Sequence, residues 1–218
     1  MPTPEPADAR RVAAPPAGPL PDTPPERPGM TRQTRAPLTR LPTTASLWSV
    51  EEYTSRIRRG EMLIDPPYQR GPAWSDQQRI DLMRSWLQGV PVPAVVLNER
   101  MGPAWRRADP RMHVNYAVVD GRQRLETALA WQAGQLAIPA SWLPADWIRT
   151  TDDTDDGPYL RVTGLHNPRR VGRLMDLPCV RAQVSTVAAE AALYLLVNGA
   201  GTPQSTVDLA RATAITAG

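Results

Sequence analysis

Three scarcities narrow the classes of protein to which this 218-residue chain can belong. The chain has no phenylalanine and no lysine, so all 25 of its basic residues are arginines. Because arginine also takes the exposed surface positions that lysine usually occupies, a single arginine is weak evidence for a binding site. Cys179 is the one cysteine, which excludes an internal disulfide and a zinc site built on paired cysteines.

Long apolar runs are also missing. No stretch of the sequence is long and apolar enough to predict a membrane span, and the N-terminal residues lack the apolar core of a secretion signal. We therefore expect no membrane contact and a cytoplasmic location. The net charge of +3 is compatible with contact to nucleic acid but does not require it.

Proline is concentrated in residues 1–45, which hold 12 of the 25 prolines together with six arginines and four acidic residues. Such a segment buries too little apolar surface to offset the entropy lost on ordering. The composition predicts a disordered, Pro/Arg-rich tail over residues 1–45 and one folded domain over residues 46–218. The tail can be interpreted as a plain linker or as a basic arm that follows a nucleic-acid backbone.

Helical and strand patterns alternate in the folded part, which predicts an α+β domain. Ser49 and Ser75 each begin a capping box, and glycines end the helices that follow. The predicted helices end at Gly60, Gly89 and Gly134, with two more over 187–197 and 205–214. The predicted strands span residues 62–64, 93–97, 116–119 and 179–184, and the predicted loops are the polar run 99–113 and the acidic run 152–156.

A few large or reactive side chains are expected in the core rather than in a site. Trp86 and Trp131 fall on the apolar faces of predicted helices, where tryptophan more often packs than stacks on a base. Cys179 lies at the start of a predicted strand and is expected to be a small buried apolar residue.

The most informative short pattern is the predicted strand, glycine turn and helix over residues 118–124. Gly121 lets the backbone turn tightly, and the helix that follows directs free N–H groups and its positive dipole end into the turn. Arg122 and Arg124 could add bidentate hydrogen bonds to phosphate oxygens. Asp120 could hold a metal ion, position a water molecule or orient an arginine. A purely structural turn with aspartate as the helix cap fits the same pattern.

A second short pattern is the pair of prolines at 66–67, which is typical of an extended segment. Tyr68 and Trp74 offer flat faces for stacking, and Arg70 offers a guanidinium fork for phosphate. The alternative interpretation is a proline turn whose two aromatic side chains pack on the core.

Taken in order, several motifs resemble those of the N-terminal domain of GmrSD-type restriction endonucleases, a branch of the ParB/sulfiredoxin-like fold. That family carries P-x-Q-R before a tryptophan, then G-x-P-x-P, D-G-Q-Q-R-L-x-T and N-x-G-G-x-P. The corresponding residues in this chain are 67–70 with Trp74, 89–93, 120–127 and 198–204. The resemblance extends over about residues 46–214.

The resemblance implies a ParB-like nucleotide-binding domain that binds and hydrolyses a nucleoside triphosphate with Mg²⁺, within a DNA restriction or phage-defence system. By position, Asp120 and Arg124 would be catalytic, and Asp120 could also contact a nucleotide-bound Mg²⁺. The residues that would bind the nucleotide are Gln69, Arg70, Gly121, Arg122, Gln123, Asn198 and Gly201.

Some features depart from the family pattern. Arg122 stands where the family usually has glutamine, and Ala200 separates the glycines of the last motif. Members of the family continue into a helical region and often an HNH nuclease, whereas His166 here lacks the context of such a nuclease. We therefore expect DNA as a partner, together with a nuclease or full-length partner chain. The alternative is a non-catalytic, ParB-like regulatory protein that binds DNA or a partner.

Overall fold

A computed structural model describes residues 37–69, 74–108 and 114–199, together with residue 214. The chain divides into two units, Met1–Thr39 and Arg40–Gly218, and the second contains all the helices and strands described here. The predicted helix over 205–214 lies outside the described residues except for its last position. The predicted α+β class is confirmed.

A five-stranded mixed sheet forms the centre of the second unit, with strand order β1-β8-β3-β4-β2. Its strands are β1 (Thr43–Ser49), β2 (Met62–Leu63), β3 (Val95–Glu99), β4 (Tyr116–Asp120) and β8 (Asp176–Ala182). β8 runs antiparallel to β1 and parallel to β3, whereas β4 runs antiparallel to β3 and parallel to β2. The predicted boundary of the tail at residue 45 falls within β1, an edge strand that is visible only from its pairing with β8.

The described helices are α1 (Val50–Arg58), α2 (Asp76–Gln88), α3 (Pro103–Ala108), α4 (Arg122–Gln132), α5 (Pro168–Gly172) and α6 (Val187–Gly199). The two predicted capping boxes both begin helices, since Ser49 accepts a hydrogen bond from the backbone N–H of Glu52 and Ser75 from that of Gln78. Gly89 ends α2 in the left-handed conformation, as predicted. None of the helices in the described ranges is long and apolar enough to cross a bilayer.

The prediction of a loop over residues 99–113 was wrong for the residues that the structure describes, because α3 lies within this range. Residues 109–113 lie outside the described residues. The Trp105 indole is buried and donates to the Val184 carbonyl at 2.8 Å, and the Arg100 guanidinium lies 4.6 Å from its ring centroid. Six residues form a stable helix only with such tertiary contacts, so periodicity did not reveal it.

The prediction of a loop over the acidic run 152–156 was right for the turn at Asp155 and Asp156 but wrong for residues 152–154, which form a strand. A small antiparallel sheet of order β5-β7-β6 contains β5 (Ala137–Pro139), β6 (Asp152–Thr154) and β7 (Gly157–Arg161). The Thr154 hydroxyl donates to the Gly157 carbonyl at 2.7 Å, and Arg161 pairs with Asp152 across the hairpin. A local pattern of hydrophobicity does not reveal such cross-strand contacts.

Two apolar clusters lie on opposite faces of β4, because successive strand residues point to opposite sides. Val118 belongs to the larger cluster, which α1, α2 and α4 cover, and Val119 to the smaller one, which α6 covers. The predicted core positions Trp86, Trp131 and Cys179 are all buried in the larger cluster. The end of β4 therefore lies between two helical layers.

Candidate functional site

The turn between β4 and α4 requires glycine. Gly121 has a φ of +99°, and a Cβ added there would lie 2.9 Å from Cγ2 and 3.1 Å from Cα of Val95. The left-handed conformation and this close approach both exclude a larger residue. The backbone of this turn is thus packed tightly against Val95, the first residue of β3.

The first turn of α4 begins at a glycine. Gly121 occupies the N-cap position, and the described residues form no side-chain cap hydrogen bond there. The interpretation of Asp120 as a helix cap was therefore wrong, because this carboxylate is directed to an arginine instead. Uncapped amides at the positive end of an eleven-residue helix favour an anion.

Arg124 is held beneath the turn by two acceptors. Its Nη2 donates to Oδ2 of Asp120 at 2.6 Å and to the Ala94 carbonyl at 3.0 Å. The Arg124 side chain is 13% exposed and that of Asp120 32%, so the pair lies at the boundary between the core and the surface. Nε of Arg124 is buried with no hydrogen-bond partner among the described residues. The pair fixes the orientation of the Asp120 carboxylate at the mouth of the turn.

Arg122 forms ion pairs with two carboxylates. Its Nε donates to Glu126 at 2.7 Å and its Nη1 to Asp65 at 2.6 Å. The arginine at this position, where the family usually has glutamine, thereby joins α4 to the segment before the two prolines. A phosphate could recruit this guanidinium only in competition with both carboxylates.

Gln123 and Gln69 connect the turn to the segment on either side of residues 70–73. The backbone N–H of Trp74 donates to Oε1 of Gln123 at 3.1 Å, and Nε2 of Gln69 lies 3.4 Å from the Val119 carbonyl. Gln69 is buried, and its Oε1 has no hydrogen-bond partner in the described part of the chain. Gln69 and Gln123 are therefore brought to the turn, whereas Arg70 lies outside the described residues.

Helix α6 covers the same end of β4 from the other face. Tyr194 packs against Tyr68, with ring centroids 5.7 Å apart, and both belong to the smaller cluster together with Val119. Asn198 lies one turn further along α6, where its Nδ2 donates to the Tyr194 carbonyl at 2.9 Å. Asn198 is thus on the helix that packs beside Gln69, and Gly201 lies outside the described residues.

A buried ionic cluster that no local pattern predicted fixes α6 to the sheet. Nη2 of Arg100 pairs with Oε2 of Glu190 at 2.5 Å, and Nδ2 of Asn98 donates to Oε1 of the same carboxylate at 2.6 Å. Burial first, and the Glu190 carboxylate second, raise the pKa of the Tyr68 hydroxyl. The one signal in the sequence is a single acidic residue in the mostly apolar helix α6, which indicates a buried partner.

A resident metal site is not evident in the described ranges, since no group of three or more His, Cys, Asp or Glu side chains could hold an ion there. His166 is exposed, and His113 lies outside the described residues. The site that the structure assembles is consequently built from the β4–α4 turn, Gln69 and the Asp120–Arg124 pair.

Comparison with known proteins identifies the family. The model of the family described as "GmrSD restriction endonuclease, N-terminal domain" matches residues 50–168, which is more than half of the chain and includes Gln69 and the β4–α4 turn. No curated protein and no solved structure matches the chain significantly. The chain belongs to the family of GmrSD restriction endonuclease N-terminal domains.

Proposed function

We propose that this chain binds a nucleoside triphosphate at the β4–α4 turn and hydrolyses it within a DNA restriction or phage-defence system. The observation that carries the proposal is the uncapped start of α4 at Gly121, beside the Asp120–Arg124 pair. Membership of the GmrSD family supports the restriction context.

The turn suits a chain of phosphates. Gly121 lets the backbone turn against Val95, and the amides of the first turn of α4 can donate to phosphate oxygens. Gln69 contributes a buried acceptor, Oε1, without a partner among the described residues. A ribose hydroxyl or a base amino group could donate to this oxygen, because buried polar atoms are rarely left unpaired.

Asp120 and Arg124 can perform the hydrolysis. In the proposed reaction a water oxygen bonds to the terminal phosphorus, the bond to the bridging oxygen breaks, and the water proton is released. The carboxylate of Asp120 orients the water and accepts the proton, while Arg124 and the amides stabilise the charge that develops on the phosphate oxygens.

A divalent cation fits this proposal as a companion of the nucleotide. Mg²⁺, held by phosphate oxygens with Asp120 as the candidate protein ligand, would neutralise phosphate charge. Arg70, Asn198 and Gly201 remain proposed contacts to the nucleotide by their positions in the family motifs, and Arg122 would join them only after leaving Asp65 and Glu126.

The test is binding and hydrolysis of ATP, GTP and CTP with Mg²⁺ by the full chain, with and without duplex DNA. Asp120→Asn and Arg124→Gln each should lower turnover by about 100-fold or more, which is the usual effect of losing a general base or a charge-stabilising group. Asp152→Asn and Arg161→Gln alter an exposed pair of similar geometry and serve as matched controls.

The outcomes of this test distinguish hydrolysis at the β4–α4 turn from a non-catalytic role. Turnover that disappears in both site variants and persists in both controls supports the proposal. Turnover unchanged in the site variants contradicts it. Nucleotide binding without turnover in the parent chain would instead favour the alternative of a non-catalytic regulatory protein.

A further inference from the structure

The outer edge of β1 is a long strand edge at one side of the central sheet. β1 is the first strand in the order β1-β8-β3-β4-β2, and within the described part of the chain it pairs with β8 alone. Every second residue of an edge strand directs its backbone N–H and C=O away from the sheet, where they can pair with another strand. The opposite edge is β2, which has two residues and offers little backbone for pairing.

The features that usually prevent pairing at a sheet edge are missing from β1. Native edge strands are protected by charged side chains, prolines, bulges or short length. The seven residues Thr43–Ser49 include neither a charged residue nor a proline, and their register with β8 continues without a bulge. Leu47 is 64% exposed and lies on the face opposite to Trp48, which packs against the larger cluster. This edge therefore presents backbone groups and an apolar side chain together.

The side chains of β1 are complementary to those of a second copy of the same strand. Full antiparallel overlap of two seven-residue strands places a twofold axis at the middle residue, Ser46. Leu47 of each copy then lies opposite Ala45 of the other, on the face where both side chains are exposed. Because β1 carries no charge, no like charges meet along the paired strands.

The charges beside β1 favour the same arrangement. Arg40 is exposed and precedes β1, whereas Glu51 and Glu52 are exposed in the first turn of α1, directly after β1. Antiparallel pairing brings the N-terminal end of each β1 to the C-terminal end of the other. Arg40 of each copy therefore approaches the acidic first turn of α1 in the other copy, and opposite charges meet at both ends of the paired strands.

We propose that β1 pairs antiparallel with β1 of a second copy of this chain, which joins two five-stranded sheets into one sheet of ten strands. β8 and β3 separate β4 from this edge, so the pairing leaves the β4–α4 turn of each copy uncovered. The two β4 strands lie seven strand spacings apart, which is about 34 Å across the sheet. The dimer therefore carries two separate candidate sites.

The test measures the molar mass of the full chain by sedimentation equilibrium between about 1 and 500 μM, a range that includes weak dimers. Leu47→Lys should raise the Kd of the dimer about tenfold or more, since it removes two apolar contacts and places like charges on both sides of the twofold axis. Leu196→Lys alters a similarly exposed apolar residue on α6 and is the matched control, for which the Kd should not change.

A charge exchange tests the orientation of the two strands. Arg40→Glu should raise the Kd of the dimer about threefold or more, because like charges then meet at both ends of the paired strands. The double variant R40E/E51R should restore the Kd of the parent chain. A variant that weakens the dimer only by misfolding would not be rescued in this way.

A parent dimer that Leu47→Lys dissociates, that Leu196→Lys leaves intact and that the charge exchange restores supports the proposal. A dimer that persists unchanged in Leu47→Lys, or that Leu196→Lys weakens equally, would overturn it, because the copies would then meet at another surface. A parent chain that stays monomeric over the whole range would also overturn it, and the edge would then be open to a strand of a different protein.

Discussion

At the scale of single residues, the Asp120–Arg124 pair and Gly121 have different tasks in the same turn. Gly121 makes the close approach of the backbone possible, and Arg124 fixes the carboxylate of Asp120 through a 2.6 Å contact. The sequence motif indicated that these residues act together, but it did not distinguish an aspartate that caps a helix from one that pairs with an arginine four positions later.

We expect Gly121→Ala to be much more destabilising than Gly60→Ala. Both glycines have positive φ, but a Cβ at Gly60 meets nothing within 4 Å, whereas at Gly121 it meets the backbone of Val95. The unfavourable φ alone costs about 1–2 kcal/mol, and the collision should bring the total at Gly121 to about 3 kcal/mol or more. Urea unfolding of both variants measures the difference. Equal losses would show that the approach to Val95 is not tight.

Arg122 shows why a motif cannot predict the state of a side chain. The motif predicted a contact with phosphate for this side chain, and the structure shows both edges of its guanidinium in contact with carboxylates. Asp65 lies 57 positions away in the sequence, and therefore no local spacing could reveal this competition.

At the scale of elements, α6 is held to the sheet by charge as well as by apolar packing. The Arg100–Glu190 pair is almost completely buried, with side chains 7% and 0% exposed. The position of α6 depends on β3 through this pair, because Asn98 near the end of that strand donates to the same carboxylate. Since Tyr194 on α6 packs against Tyr68, the cluster also positions the segment that contains Gln69.

Replacement of Glu190 by glutamine should cost about 3–5 kcal/mol of unfolding free energy, since it leaves the buried guanidinium of Arg100 without its charge partner. Asp152→Asn, which breaks the exposed pair with Arg161, should cost less than about 1 kcal/mol. Chemical denaturation of both variants tests this. A loss at Glu190 as small as that at Asp152 would mean that α6 does not depend on the ionic cluster.

Long, capped elements could be predicted from the sequence, and short ones could not. α1 and α2 begin at the predicted serine caps because capping is a local interaction. β1, α3 and the small antiparallel sheet form through contacts between distant residues, such as Trp105 with Val184, and lacked a local signal. The predicted loops over 99–113 and 152–156 accordingly missed α3 and β6.

At the scale of the whole molecule, two helical layers cover opposite faces of the sheet and meet at the end of β4. The motifs predicted which segments lie near this end, since Gln69, Gln123 and the turn are in contact there. They could not predict that Arg124 is held by the Ala94 carbonyl as well as by Asp120, because Ala94 lies 30 positions away in the sequence.

The most direct test of the central claim is an NMR titration of the isotope-labelled full chain with the nucleotide that binds most tightly. The account predicts that the backbone amides of Gly121, Arg122, Gln123 and Arg124 shift most, because the phosphates would accept hydrogen bonds at this uncapped helix start. Shifts that are confined to Ala133 and Gln135 at the C-terminal end of α4, or spread evenly over the surface, would contradict it.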